Sequence, residues 1–494
     1  MYTFLKKNRK LIQMIVPLVL CMTINLGIAL YMVYPGHNWG GDFSQYIAQT
    51  RALVNGDIDE WYQKNAFIIE NSSEGLGSLI YPWGLSLILA PFYMVFGENI
   101  FVFKLIIIAF LTGNVAVSYI FFEKKFSFIP AVLLTLLVTF NPTLLAATDN
   151  VQSDIPCMFF SLISVICIDL HLKSEQHHLR NAVLSGCLIF IVVQFRTMSL
   201  VLLLSLFCVD FLLIVYWFLY FRRDKDNWNL KEYYQSRWYY HIIPYITFLI
   251  CSKIFNLLLP KAGETYWDYF SVSIQNIKKM LVNYTFGFKE MYGVLFWIFL
   301  LFAVVGMICA LKEEMYCVIY VMGTMAMLLV YHYYQRSRFL FSVFPIILMF
   351  CFYGIKCLHS VFSKRAIYTL AIVGVVFTIG IYIRQLIKDE IAVRIKISEP
   401  IDAYSYDALN VYEYINQNID DDSIIYFFKP RVLYLNTNVY SYTGDNNAST
   451  IDLADYVLFW CNDFQDNIKN VVVNSEKFEL IYQNNQFTLY KSNL

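Results

Sequence analysis

The chain has 494 residues, of which 58% are hydrophobic and only 15% are charged. A soluble globular protein usually carries about 25% charged residues, so this composition is typical of a membrane protein. The 37 basic and 37 acidic residues cancel, which leaves no global field to attract nucleic acid. We therefore expect membrane lipids as neighbours and no nucleic acid partner.

The first apolar run follows a basic N-terminal segment and extends from residue 11 to about residue 34. It is too long for the 7 to 15 residue core of a cleaved signal peptide, so we expect it to remain in the membrane. A helix needs about 20 apolar residues to cross a bilayer core of roughly 30 Å. Runs of this kind are predicted to span at 11–34, 100–122, 127–146, 154–171, 182–195, 199–221, 238–259, 291–311, 315–332, 339–357 and 366–384.

One further apolar run, at 81–97, is short and contains Pro82, Gly84 and Pro91, which are unfavourable inside a helix. If this run lies along the outer interface, every strongly basic short loop falls on one side of the membrane, as the positive-inside rule requires. We therefore expect about eleven transmembrane helices, a cytoplasmic N-terminus and a long first outer loop at 35–99. A second outer segment, 260–290, is expected to be a mobile amphipathic loop.

The cysteines carry little information about function. Ten of the eleven lie in or beside apolar runs without any CxxC spacing, and we interpret them as small apolar fillers and not as disulfide or metal partners. These are Cys21, Cys157, Cys167, Cys187, Cys208, Cys251, Cys309, Cys317, Cys351 and Cys357.

After residue 384 the apolar runs shorten and Asp, Asn and Tyr become frequent. Helical spacing at 408–419 and short strand-like runs predict a soluble α/β domain of about 100 residues, a common domain size. The strand-like runs are 423–428, 456–460, 478–482 and 487–490. The fold class is thus an α-helical polytopic membrane protein, with a transmembrane domain at 1–389 and a small extracytoplasmic α/β domain at 390–494.

The first candidate motif, Gly40-Gly41-Asp42-Phe43-Ser44-Gln45-Tyr46, lies just outside the first span. Two glycines allow close approach of a ligand, and Asp42 then places a carboxylate at the membrane surface. Asp42 is a candidate catalytic base, with Tyr46 a candidate substrate contact. The alternative is that Asp42 caps the helix predicted over residues 43–54.

The second motif is the short polar turn Thr148-Asp149-Asn150-Val151-Gln152-Ser153-Asp154 on the same outer face. Ser153 or Asp154 can cap the next helix, but capping alone does not explain so many polar residues in a minimal loop. Asp154 is the second candidate catalytic acid, and Asp149 and Gln152 are candidate substrate-binding residues.

The third motif is the cationic and aromatic cluster His332-Tyr333-Tyr334-Gln335-Arg336-Ser337-Arg338-Phe339. Arginines on an outer loop oppose the positive-inside preference, and their forked donors suit a phosphate. Arg336, Arg338 and the similarly placed Arg196 are candidate donor-phosphate ligands, and Tyr334 is a candidate substrate contact. The alternative is that these side chains extend to lipid headgroups.

Together the three motifs predict one outer-face site with a carboxylate base and cations at headgroup depth. This arrangement suits transfer of a sugar from a lipid phosphate. Since phosphate leaves as a stable anion, one base and phosphate-binding cations suffice. No metal or other cofactor is implied.

In these segments the chain resembles the GT-C superfamily of polytopic glycosyltransferases, especially bacterial relatives of protein O-mannosyltransferases and of aminoarabinose lipid A transferases. The likeness covers nearly the whole chain, including "GGDFSQYIAQTRALVNG", "YPWGLSLILAPFYMVFG", "NPTLLAATDNVQSDIPCMFF", "FRTMSLVLLL", "QRSRFLFSVFPII" and "EYINQNIDDDSIIYFFKPRVLYLNT". The resemblance implies that Asp42 activates the acceptor, that Asp154 is the second outer-loop acid, and that Arg336 and Arg338 lie near the donor phosphate. Phe43 stands where the protein mannosyltransferases have the Glu of an Asp-Glu pair, which argues against a protein acceptor.

The sequence therefore predicts an inverting glycosyltransferase of the bacterial inner membrane that uses a polyprenyl-phosphate-linked sugar and a lipid, glycan or protein acceptor. A transporter or flippase of lipid-linked saccharide is the main alternative. Such a protein would place charged groups or broken helices near mid-membrane and would show related halves, whereas here the polar clusters lie at one face. A non-enzymatic scaffold is a third alternative.

Overall fold

The computed structural model is mainly helical, with one small sheet near the C-terminus. It describes residues 2–73, 76–173, 178–223, 228–262, 293–330, 336–358, 362–398, 400–445, 447–462 and 466–493. The expected loop at 260–290 lies almost entirely outside these residues.

The described α-helices are numbered here in chain order. The first nine are α1 Tyr2–Met32, α2 Gly41–Asn55, α3 Ile58–Asn71, α4 Gly84–Phe96, α5 Ile100–Lys125, α6 Phe128–Thr139, α7 Pro142–Ala147, α8 Asp154–Lys173 and α9 His178–Val193. The others are α10 Val201–Arg223, α11 Trp228–Leu258, α12 Gly293–Cys309, α13 Met315–Val330, α14 Phe344–Cys357, α15 Lys364–Ser398, α16 Tyr406–Asn418, α17 Pro430–Thr437 and α18 Asp466–Val473.

Each of the eleven predicted apolar runs overlaps a helix in the described part of the chain, and the run at 127–146 contains both α6 and α7. Seven of these helices are long and apolar enough to cross a membrane by length and composition, and the remaining apolar helices are shorter. The polytopic helical membrane fold is therefore confirmed. The count of eleven crossings and the inside-outside orientation stay predictions.

Two ion-pair clusters mark opposite ends of the helix bundle. At the end of α5, Lys125 Nζ lies 2.8 Å from Glu314 and 3.1 Å from Asp169 near the end of α8. Near the start of α5, Lys104 Nζ donates to Asp149 Oδ1 at 2.6 Å, just before α8 begins. Since α5 and α8 each run between the same two clusters, the two helices begin at one end of the bundle and finish at the other.

Helix α4 starts and finishes at the end of the bundle marked by Lys104. Its first residue, Gly84, donates its N–H to the Gln194 carbonyl oxygen at 2.6 Å, beyond the far end of α9. The next helix, α5, starts at that same end. Thirteen residues of helix span only about 20 Å, which is less than the apolar core of a bilayer. Both observations agree with an interfacial position for residues 81–97.

Helices α12 and α14 pack with their backbones in close contact. A Cβ atom on Gly306 would overlap the Phe350 carbonyl oxygen, and one on Gly354 would overlap that of Phe302. The same approach brings the side chains of Cys309 and Cys357 into contact, because helix packing joins positions that are far apart in sequence.

The C-terminal domain contains a five-stranded mixed sheet with strand order β2-β1-β3-β5-β4. Its strands are β1 Ile424–Tyr426, β2 Tyr440–Tyr442, β3 Tyr456–Trp460, β4 Phe478–Gln483 and β5 Phe487–Ser492. The parallel pairs are β1 with β2 and β1 with β3, whereas β5 pairs antiparallel with both β3 and β4. The predicted α/β fold is confirmed, while β2, α17 and α18 went unpredicted. Helix α15 continues past the expected domain boundary at 389/390.

Candidate active site

Helix α2 carries Asp42 in its first turn and packs against the C-terminal domain through α17. The helix starts after Gly40 and stops at Gly56, whose φ of 80° lies in the left-handed region that favours glycine. Gly40 has an ordinary φ of −65°. A Cβ at Gly40 would lie only 2.8 Å from Asn38 Oδ1, which already accepts the Gly40 N–H. A side chain is therefore disfavoured at Gly40 by space and not by backbone conformation.

The carboxylate of Asp42 faces three partners instead of capping its own helix. Arg338 Nη1 lies 2.7 Å from Oδ2, Tyr81 donates its hydroxyl to Oδ1 at 3.0 Å, and Gln152 Nε2 is 3.4 Å from Oδ2. The side chain keeps 27% of its surface exposed. The N-cap residue of α2 is Gly40, so the capping alternative does not describe Asp42. The structure thus joins residues of all three sequence motifs at one carboxylate.

Asp154 and Arg196 form a second, more deeply buried ion pair next to the first. Arg196 Nη2 lies 2.5 Å from Asp154 Oδ1, and the Asp154 side chain is only 3% exposed. Both arginines lie near the Phe339 ring, with Arg196 Cζ 4.4 Å and Arg338 Cζ 5.5 Å from its centroid. The planar guanidinium groups can pack on this aromatic ring, which fixes their positions.

Tyrosine hydroxyls complete this part of the site. Tyr46 and Ser153 are hydrogen-bonded at 2.8 Å, and the rings of Tyr46 and Tyr81 meet edge to face with centroids 5.1 Å apart. Burial raises the pKa of Tyr46 and of Tyr81 well above the ordinary tyrosine value. Both therefore remain neutral hydroxyl donors at physiological pH.

The electrostatic environment keeps Asp42 ionised. Burial raises the pKa of Asp42, but the guanidinium groups of Arg338 and Arg196 lower it more, so that the pKa lies below its ordinary value. In this structure Asp42 is an ionised carboxylate whose Oδ2 is paired with Arg338. The basicity of Asp42 increases when Arg338 pairs with another anion instead.

Asp149 lies in a different cluster. Its Oδ1 accepts from the fully buried Lys104 and from the Tyr34 backbone N–H at 3.1 Å. Lys104 also donates to the carbonyl oxygens of Tyr34 and Gly36. Asp149 therefore holds the segment between α1 and α2 in place. The structure does not place Asp149 at the Asp42 carboxylate.

Two of the predicted ligands cannot be placed. Arg336 begins the short 3-10 helix Arg336–Val343, but its side-chain position is outside the described part of the structure. Tyr334 belongs to 331–335, which is not described at all. Their roles in binding stay predictions.

The C-terminal domain supplies two cations that the sequence analysis did not single out. Arg431, near the start of α17, is 3% exposed and donates to the carbonyl oxygens of Leu76 and Ser78. Its Nη1 is also 3.3 Å from the hydroxyl of Tyr81, which donates to Asp42. Lys429 precedes the same helix. The run Lys429-Pro430-Arg431 stood within a segment that resembles the GT-C proteins, but no local pattern indicated that it reaches the first outer loop.

Among the residues that the structure describes, no group of three or more His, Cys, Asp or Glu is arranged to hold a metal ion. The expectation that no metal or cofactor is needed therefore rests on the sequence alone.

The chain was compared with known proteins by sequence and by structure. No family model and no curated protein matches its sequence. The solved structures that resemble it over almost its whole length include those of three different proteins. ArnT from Cupriavidus metallidurans bound to undecaprenyl phosphate is 10% identical, covers 96% of this chain and 98% of its own, and gives a TM-score of 0.59.

The other two likenesses are to larger proteins. The archaeal oligosaccharyltransferase AglB from Archaeoglobus fulgidus, in complex with an inhibitory peptide and a dolichol-phosphate, is 10% identical, with a TM-score of 0.52 over 92% of this chain and 69% of its own. The arabinofuranosyltransferase AftD from Mycobacteria is 9% identical, with a TM-score of 0.54 over 97% of this chain and 40% of its own. At such low identity these likenesses show the fold alone, and it is the GT-C fold that the sequence resemblance implied.

Proposed function

We propose that the protein is a membrane glycosyltransferase that moves a sugar from a polyprenyl-phosphate donor to an acceptor hydroxyl at the outer face of the membrane. The observation that carries this proposal is the Asp42 carboxylate, which lies beside Arg338 at the end of the bundle where the C-terminal domain docks. The three similar structures support it, since their descriptions name two lipid phosphates and two glycosyltransferase activities.

The proposed reaction is a single displacement at the anomeric carbon. Asp42 takes the proton of the acceptor hydroxyl, the acceptor oxygen bonds to the anomeric carbon, and the bond from that carbon to the phosphate oxygen breaks. The electron pair leaves with the polyprenyl phosphate. Because attack and departure occur on opposite faces of the sugar, the configuration inverts.

Arg338 has two competing anionic partners in this scheme. Without donor it pairs with Asp42 at 2.7 Å, which weakens that carboxylate as a base. A donor phosphate that draws Arg338 away from Asp42 would raise the basicity of the carboxylate. Donor binding thus prepares the base for the acceptor, and Arg338 stays to stabilise the departing phosphate.

Asp154 takes a supporting role in this proposal. Its ion pair with Arg196 is nearly buried, and both arginines lie near the Phe339 ring. The pair holds a second guanidinium group close to Arg338, where it adds positive charge for the donor phosphate. We assign Asp154 to positioning and Asp42 to proton transfer.

The test is release of polyprenyl phosphate by the purified full-length chain from a panel of labelled polyprenyl-phosphate sugars, with candidate acceptors added in turn. Acceptor-dependent release from one donor is the expected result. Vesicles containing the same labelled donor provide the control for the transporter alternative. The proposal would be overturned if the wild-type protein moved intact donor between the leaflets and cleaved none of the donors with any acceptor.

A further inference from the structure

Lys429 lies where the C-terminal domain meets the Asp42 region. It directly precedes α17, which packs along α2, and it stands two residues before Arg431. Arg431 contacts Tyr81, and Tyr81 donates to Asp42. This chain of contacts links the C-terminal domain to the Asp42 carboxylate.

The ammonium group of Lys429 is half-buried, yet it has no anionic partner in the described part of the chain. The Nζ atom of Lys429 lies 5.9 Å from the centroid of the Phe428 ring. Burial lowers the pKa of Lys429, and the negative charge of Asp42 counteracts that shift. An ammonium group that no carboxylate holds can bind an anion supplied by a ligand.

Aromatic side chains flank this lysine. The Phe428 ring stacks on Trp460 with an interplanar angle of 6° and a centroid distance of 5.2 Å, and Trp39 tilts against both rings. Trp39 lies three residues before Asp42, and all three rings are partly exposed. The exposed parts of these rings offer an apolar surface to the C–H groups of a sugar.

We propose that Lys429 and the adjoining rings of Trp39 and Phe428 form an acceptor subsite for an anionic sugar, with a phosphate or carboxylate of that sugar bound by Lys429. The acceptor assignment rests on the proposed glycosyl transfer. A lipid-linked donor brings its phosphate to the ends of the membrane helices, where Arg338 and Arg196 lie. The C-terminal domain reaches Asp42 through Arg431 and Tyr81, and we assign this side of the carboxylate to the acceptor.

The subsite is tested by amine-labelling footprinting of the full-length protein, with Lys429 and the exposed Lys469 of α18 quantified in the same sample. The probes are glucose 6-phosphate, glucuronate, neutral glucose and undecaprenyl phosphate. At least one of the two anionic sugars should protect Lys429, whereas glucose should not, and Lys469 should react equally throughout. Failure of both anionic sugars to protect Lys429 overturns the proposal. Protection by undecaprenyl phosphate alone also overturns it, because that result places Lys429 on the donor side.

Three variants measure the contribution of the charge. Lys429→Met should weaken binding of the protecting sugar roughly 10- to 100-fold, the range for a charged hydrogen bond. Lys429→Arg should retain most of the affinity, and Lys469→Met should equal wild type. An unchanged Kd for Lys429→Met rejects the subsite. Sugar binding is measured without turnover. A negative result in the transferase assay can therefore be distinguished from a negative result in the binding measurement.

Discussion

Replacing Asp42 by Asn separates the catalytic and structural contributions of this residue. The members of the Asp42–Arg338 pair are only 27% and 23% exposed, so the pair lies between surface pairs, which contribute about 0 to 1 kcal/mol, and buried pairs, whose loss costs about 3 to 5 kcal/mol. Asn keeps an oxygen that can accept the Tyr81 hydroxyl. The substitution should therefore cost about 1 to 3 kcal/mol of stability.

The loss of basicity in Asp42→Asn has a separate expected effect on turnover. General-base catalysis contributes at least about 100-fold, which corresponds to roughly 2.7 kcal/mol in the activation barrier. Acceptor-dependent release of polyprenyl phosphate measures this loss, and thermal unfolding in detergent measures stability. Asp59→Asn, an exposed acid of the same outer loop, is the matched control. Near-normal turnover of Asp42→Asn would exclude Asp42 as the base and make Asp154 the next candidate.

Three further outcomes are expected. Asp154→Asn should cost about 3 kcal/mol in thermal unfolding, because it leaves a largely buried arginine unpaired; a loss below 1 kcal/mol contradicts this account. Gly306→Ala should cost about 1 to 3 kcal/mol by forcing packed helices apart, whereas Gly374→Ala, which has open space, should stay within about 1 kcal/mol of wild type. Arg338→Gln should move the acidic limb of kcat/KM to higher pH, because it removes the charge that lowers the pKa of Asp42; an unmoved limb would show that another group titrates.

The helical architecture was predictable because its signals are local. Apolar runs of the required length predict the spans, and the distribution of basic loops predicts an interfacial position for the run at 81–97. The contact of Gly84 with Gln194 agrees with that distinction. In the C-terminal domain, β1, β3, β4 and β5 lie in predicted strand-like runs, while β2 consists of Tyr440, Ser441 and Tyr442 and lies outside any apolar run.

The partners within the site were not predictable, because they depend on contacts between distant parts of the chain. Sequence analysis grouped Asp149 with Gln152 and Asp154, since all three stand in one turn. The structure directs Gln152 to Asp42, Asp154 to Arg196, and Asp149 to the buried Lys104. Neighbouring side chains in a turn point in different directions. The composition therefore predicts a polar turn, but it does not show which partner each of its residues contacts.

Arg431 belongs to the C-terminal domain, so the contacts of the candidate site are complete only when this domain is docked. Its guanidinium group satisfies the carbonyl oxygens of Leu76 and Ser78 and touches the hydroxyl of Tyr81, a residue 350 positions earlier in the chain. Tyr81 in turn donates to Asp42. Buried carbonyl oxygens that lose a charged donor are unfavourable, so the 76–81 segment keeps this arrangement only while α17 is docked. The hydrogen bonding of the proposed base is therefore coupled to the C-terminal domain, although Asp42 itself lies on α2, near the start of the chain.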